Sequence, residues 1–147
     1  MTRGATIRLD LPSTFEVLEL VQLIGDDIGR RVRLDEEALH SVRIAVRESI
    51  INAIKHGNRN DSRKRVHLEF TELEEDDGAG LAICVRDEGA GFDPSTLPDC
   101  LAPENLLKCS GRGIFLIRSF MDECVLQRAP EGGMELRMVK RVQPLRA

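Results

Sequence analysis

The stretch RVHLEFTELEEDDGAGLAICVRD (65–87) decides the fold. Val66, Leu68 and Phe70 alternate with polar residues, and Leu81, Ile83 and Val85 do the same. Strict alternation is the period of a strand that buries one face. The acidic, glycine-bearing EEDDGAG (74–80) between them reads as a hairpin loop. The two strands are therefore expected to be antiparallel neighbours sharing one apolar face.

Upstream, ATIRLDLP (5–12) alternates Ile7, Leu9 and Leu11 and predicts another strand, ended by Pro12. STFE (13–16) fits a capping box, with Ser13 as N-cap and Glu16 three residues on. Phe15, Leu18, Val21, Ile24 and Ile28 then follow at helical spacing, which predicts a helix over about 14–30. Asp35, backed by Glu36 and Glu37, opens a second helix, because carboxylates favour the positive end of the helix dipole. Its buried stripe is Leu39, Val42, Val46, Ile50 and Ala53, and Gly57 ends it. Downstream, residues 88–111 are rich in proline, glycine and polar residues. A connection that long inside a compact domain is usually functional or disordered. A third helix starts near Arg112, followed by strands at 125–128 and 134–141 around the turn APEGG. The order β, α, α, β, β, long loop, α, β, β predicts an α+β two-layer sandwich. Helices pack on one face of a mostly antiparallel mixed sheet. At 147 residues the chain suits a single domain, 1–147.

Composition narrows the function. Aromatics are 3% with no Trp or Tyr, so stacking on nucleic-acid bases is poorly supplied. Net charge is −4, which disfavours a nucleic-acid backbone as partner. One basic run, Arg59, Arg63, Lys64 and Arg65, is interrupted by Asp61 and reads as a solvated loop. Cys84, Cys100, Cys109 and Cys124 show no CxxC pairing, which argues against a zinc ribbon or redox motif. No secretory segment and no membrane-spanning run is visible, so the expectation is a cytoplasmic chain with reduced thiols and no membrane partner.

Three stretches carry chemistry. RESIINAIKHGN (47–58) places Glu48 and Asn52 four residues apart, one turn apart on one helical face. Ile44 and Ile51 share that side, and buried polar groups there would need partners. Alone, the stretch reads more readily as a partly exposed helix, with Glu48 paired to an arginine and Lys55 and His56 at the negative helix end. RDEGAGFDP (86–94) puts Asp87 at a strand end with Gly89 and Gly91 two apart, which lets backbone approach a ligand closely. Tight turns after strands use such glycines too. SGRGIFLIRS (110–119) opens a helix with Gly111 and Gly113, where free N–H groups suit an anion; a flexible loop-to-helix junction would read the same way.

Taken in order, ExxxNAxxHG, DxGxGF, a proline-rich segment at about 93–110 and SGxGI resemble the GHKL family of ATP-binding domains. The likeness is greatest to the stand-alone serine kinases that act as anti-sigma factors, and it spans nearly the whole chain. It implies a Bergerat-type sandwich with an ATP pocket between helices and sheet, closed by residues 93–110 as a lid. It also implies roles by position. Asn52 would ligate Mg²⁺ bridging the phosphates, and Glu48 would be the catalytic base on the attacking hydroxyl. Asp87 would accept a hydrogen bond from the adenine amino group, beside Gly89 and Gly91. Gly111, Arg112 and Gly113 would hold the phosphates, with Lys108 the nearest basic lid residue and His56 near the nucleotide. Two features depart from the family: Met134 stands where a threonine is usual, and Cys109 and Ser110 stand where a basic lid residue is usual.

The resemblance implies an ATP-dependent serine/threonine kinase of the anti-sigma-factor type. Its partners would be a phosphorylated, STAS-like antagonist and a sequestered sigma factor, with the kinase a homodimer. A non-catalytic ATP-binding regulatory module is the alternative. A histidine kinase catalytic domain fits less well, because that class carries Asn where this chain has Glu48.

Overall fold

In the computed structural model, residues 3–75, 78–91 and 112–142 are described. Strand β1 (Arg3–Pro12) leads into helix α1 (Val17–Arg31) and helix α2 (Glu36–Asn52). The hairpin β2 (Arg65–Glu75) and β3 (Gly78–Arg86) follows, then helix α3 (Arg112–Phe120) and the hairpin β4 (Glu123–Arg128) and β5 (Met134–Arg141). The strands form one sheet in the order β1-β2-β3-β5-β4. Every described pairing is antiparallel, so the sheet is not mixed as expected. The hairpins supply two of the four described pairings, β2–β3 and β4–β5; β1–β2 and β3–β5 join strands that are not linked by a hairpin. The crossover through α3 brings β4 in with β5 between it and β3, so β3 and β4, which run parallel, never touch.

Alternation sets which face is buried. Val66, Leu68 and Phe70 of β2, Leu81, Ile83 and Val85 of β3, and Leu136 and Met138 of β5 all lie in the core. Val21 and Ile28 of α1, Leu39, Val42, Val46 and Ile50 of α2, and Ile117 of α3 cover them. The helices thus lie on one face of the sheet. Burying a large aliphatic side chain contributes roughly 1.5–3 kcal/mol, so this aliphatic layer supplies the cohesion that a larger aromatic core would otherwise give.

Three local expectations are corrected. α1 starts at Val17 without a side-chain cap. The Ser13 hydroxyl instead donates to the Lys64 carbonyl at 2.6 Å and accepts from Asn58 Nδ2 at 2.8 Å, a tie between distant segments that outcompetes a local cap. The hairpin loop is shorter than read, because Glu75 already pairs with Gly78 and the backbone ladder does not need apolar side chains. And α2 does not run as α-helix to Gly57: it passes into a π-helical turn over Ala53–Gly57. At the other end of α2, Asp35 caps as expected, its Oδ1 accepting from the Ala38 N–H at 2.8 Å.

Candidate functional site

One cavity of about 260 Å³ opens between α2, α3 and the sheet. Its apolar wall is Ala53, Val85, Ile114, Leu126, Met134 and Leu136. Its polar lining includes Asn52, His56 and Asp87.

Asp87 follows directly after β3 and is 5% exposed. Its N–H donates to the Met134 carbonyl at 3.0 Å. Its Oδ1 accepts from the N–H of Gly89 at 2.9 Å and of Met134 at 3.1 Å. Backbone donors are the cheapest way to hold a buried carboxylate, because they cost no further side-chain entropy. Glycine is required around it. A Cβ on Gly57 would run into the Asp87 carboxylate, and one on Gly133 would stand 2.7 Å from Oδ1. Gly133 also has φ +79°, a conformation that side chains resist. Three chain segments therefore converge on one carboxylate and fix its direction.

The π-helical turn shapes the opposite wall. The N–H of Asn58 donates to the Ala53 carbonyl at 2.8 Å, five residues back. Such turns are rare and concentrate at functional sites. This one brings Gly57 against Asp87 and leaves His56 at the cavity. Asn58 locks it: the side chain is fully buried, with Nδ2 donating to Ser13 Oγ and to the Arg65 carbonyl at 2.9 Å, while Oδ1 accepts from the Glu88 N–H at 2.7 Å. Asn58 thus ties the turn to β2 and to the residue after Asp87. The sequence reading missed it, since an asparagine after a helix-ending glycine looks like ordinary turn chemistry.

At the other end, Asn52 closes α2 and is half-buried. It stands against Gly113 of α3, where a Cβ would approach its Nδ2 to 2.6 Å. The start of α3 is therefore held next to this amide. Glu48 is half-buried one turn before Asn52, but it is not among the residues lining the cavity. Ile44 and Ile51 on that face are also only half-buried, so α2 is not enclosed on all sides. Gly91 lines the cavity; Gly89 sits behind it, packed on the Gly57 carbonyl. Lys108 and Gly111, the lid over 93–110, Cys100 and Cys109 lie outside the described residues, and Arg112 is described only as the first residue of α3. Ser49, Ala90 and Arg59 line the cavity without having been singled out for it. Ser49 donates to the Ala45 carbonyl, so its hydroxyl is committed to the helix. Met134 contributes its backbone to Asp87 and its thioether to the apolar wall.

The electrostatics outside the cavity are structural. His67 bridges Asp10 at 2.5 Å and Glu88 at 2.8 Å. The Arg65 N–H, and after it His67, hold the Glu88 carboxyl below its usual range. Burial pushes the Cys84 thiol up to about 12 and raises that of Cys124, so neither is a ready nucleophile. Arg63 lowers the Asp61 carboxyl by hydrogen bonding, as a solvated loop would arrange it. Among the described residues no group of three or more His, Cys, Asp or Glu is placed to hold a metal ion, and no helix is long and apolar enough to cross a membrane.

Comparison with known proteins agrees with this arrangement. The chain is 28% identical over 143 residues to the serine-protein kinase RsbW of Staphylococcus aureus, covering 93% of this chain and 87% of that protein. The same kinase from strain JH9 matches with the same identity and coverage. A solved structure of the RsbU and RsbW domains of a Mycobacterium tuberculosis protein superposes with a TM-score of 0.65 at 16% identity. It covers 97% of this chain and 34% of that longer one, and supports the fold alone. Residues 11–140 match the histidine kinase-like ATPase domain, and the chain belongs to that family.

Proposed function

We propose that the chain is an ATP-dependent protein serine/threonine kinase of the anti-sigma-factor type. The observation that carries the reading is Asp87: a buried carboxylate with a fixed direction, facing an apolar cavity sized for a flat heterocycle. Such a group accepts a hydrogen bond from an amino substituent and leaves a carbonyl at that position unpaired, which favours adenine over guanine. The names of the RsbW relatives supply the kinase class.

The residues fit Mg·ATP in a particular way. The described residues contain no carboxylate cage, so Mg²⁺ would be held by phosphate oxygens and by the amide oxygen of Asn52. When bound, the ion neutralises charge on the transferring phosphoryl group. Asn52 orients the phosphates from the end of α2, and Gly113 lets backbone approach them at the start of α3. The apolar wall excludes water from the base. Glu48 accepts the proton of the attacking serine or threonine hydroxyl, standing one turn up the same helix. The acceptor is an antagonist protein of the STAS type, and a sigma factor is the partner released or sequestered as that protein changes state. The chain works as a homodimer in the cytoplasm and touches no DNA.

One observation favours a second reading, a nucleotide-binding module without transfer: Glu48 does not line the cavity. Measuring phosphate transfer from labelled ATP to a serine-bearing antagonist separates the two. Glu48→Gln is expected to slow transfer by about 10²- to 10⁴-fold while ATP affinity is kept. Wild-type protein that binds ATP yet labels no antagonist would sink the kinase reading and leave the module.

A further inference from the structure

The basic run after the π-helical turn is not uniform. Arg63 is committed: its Nε reaches Asp61 Oδ1 at 3.1 Å and its terminal nitrogen reaches Oδ2 at 3.1 Å. Arg59 has no hydrogen-bond or ion-pair partner among the described residues. It is exposed, yet it lines the cavity.

Its backbone is unusual as well. Arg59 has φ +51° and Asn60 has φ +57°. Asparagine tolerates the left-handed region because its short side chain bonds locally; arginine has no such compensation. Sparsely populated backbone states persist where the surroundings impose them, and they cluster at ligand clamps. Here the Asn60 N–H closes the turn onto the Ile54 carbonyl at 2.8 Å, and Arg59 is left among the residues lining the cavity.

Position selects the part of a ligand that Arg59 meets. Gly57, two residues earlier, lies against the Asp87 carboxylate. Asn52 and Gly113 mark the opposite end. Arg59 therefore stands with Asp87, Ala90 and Gly91, at the base end. A heterocycle there needs planar groups to cover its open face. The chain has no Trp or Tyr, and among the described residues the planar side chains lining the cavity include the His56 imidazole and the Arg59 guanidinium. A guanidinium covers a π-face better than an ammonium does.

We propose that Arg59 is a positioning residue for the purine base, its guanidinium stacking on the ring at the mouth of the cavity. The inference rests on the nucleotide reading of that cavity. The test is calorimetric titration of adenosine and of Mg·ATP into wild type, Arg59→Gly and Arg59→Lys, with thermal melts of each. Arg59→Gly is expected to weaken both ligands by about 2- to 10-fold. Its melting midpoint should be no lower than wild type, because glycine adopts positive φ freely. Arg59→Lys keeps the charge without the plane and should lose adenosine affinity nearly as far. Unchanged adenosine affinity in Arg59→Gly overturns the inference. So does a loss confined to Mg·ATP and restored by lysine, which would mark a phosphate contact. A loss accompanied by a lower midpoint would mark a structural role and overturn it too. Wild type that binds neither ligand removes the nucleotide reading itself, whereas tight wild-type binding indifferent to Arg59 removes this inference alone.

Discussion

The two ends of the cavity are built on opposite plans. At the base end, Asp87 is enclosed by backbone from three segments, and glycines at 57, 89 and 133 leave no spare volume around it. At the other end, Asn52 projects from α2, half-buried and, among the described residues, without a comparable cage, while Glu48 stands one turn before it outside the lining. Recognition of a rigid heterocycle rewards a fixed partner, since freezing the site in advance removes the ordering cost at binding. Under the proposed function, Asn52 and Glu48 would meet a metal-bound polyphosphate and a second protein, and such groups must adapt as a reaction proceeds. The difference teaches where stability and turnover are invested in this fold.

The comparison breaks most readily at Gly133. Gly133→Ala combines a left-handed φ with a collision on the Asp87 backbone and carboxylate, and it is expected to cost about 3 kcal/mol or more. Gly132→Ala has φ +97° but nothing within 4 Å, so denaturant melts should show only the backbone penalty, about 1–2 kcal/mol. Equal losses at the two positions would refute the cage. At the opposite end, Asn52→Ala should shift unfolding free energy by no more than about 0.5 kcal/mol. The Mg²⁺ dependence of ATP affinity should vanish in the same variant. A large stability loss would make Asn52 structural and erase the contrast.

The smallest expected effect is one of pH. The Glu88 carboxyl is held low by the Arg65 N–H and by His67. The native state thus binds fewer protons than the unfolded chain through the acid range. Its stabilising contribution is complete above the ordinary glutamate range, near pH 4.3, and is lost as pH falls below it. Glu88→Gln should therefore differ from wild type in melting midpoint at pH 7 and converge with it in acid. A gap that stays constant with pH would show that the hydrogen bonds matter and the charge does not.

Much of this was legible in the chain itself. Val66, Leu68 and Phe70, with Leu81, Ile83 and Val85, announce the hairpin because a strand with one buried face must alternate. Asp87 and its glycines are visible because close backbone approach leaves few alternatives to glycine. What stayed hidden depends on contacts between distant segments. Ser13 looks like a helix cap until Asn58, far along the chain, claims its hydroxyl. Arg59 looks like one more charge on a wet loop until the fold brings it among the residues lining the cavity. No local pattern encodes either, since hydrogen-bonding side chains are chosen by whatever the tertiary structure brings near. At Met134, the backbone N–H holds Asp87, a contact that needs no side-chain hydroxyl.

The π-helical turn over Ala53–Gly57 has one more consequence. A π turn is an α-helix carrying one residue too many, so the wall it forms is out of phase with α2. Each residue of an α-helix advances the azimuth by about 100°. Winding the same number of residues as ordinary α-helix would swing the following wall by about that angle. Gly57 would leave the Asp87 carboxylate, and the asparagine lock on β2 would come undone with it. Length, more than composition, is the constraint on this short segment: it can vary its letters more freely than it can vary their number.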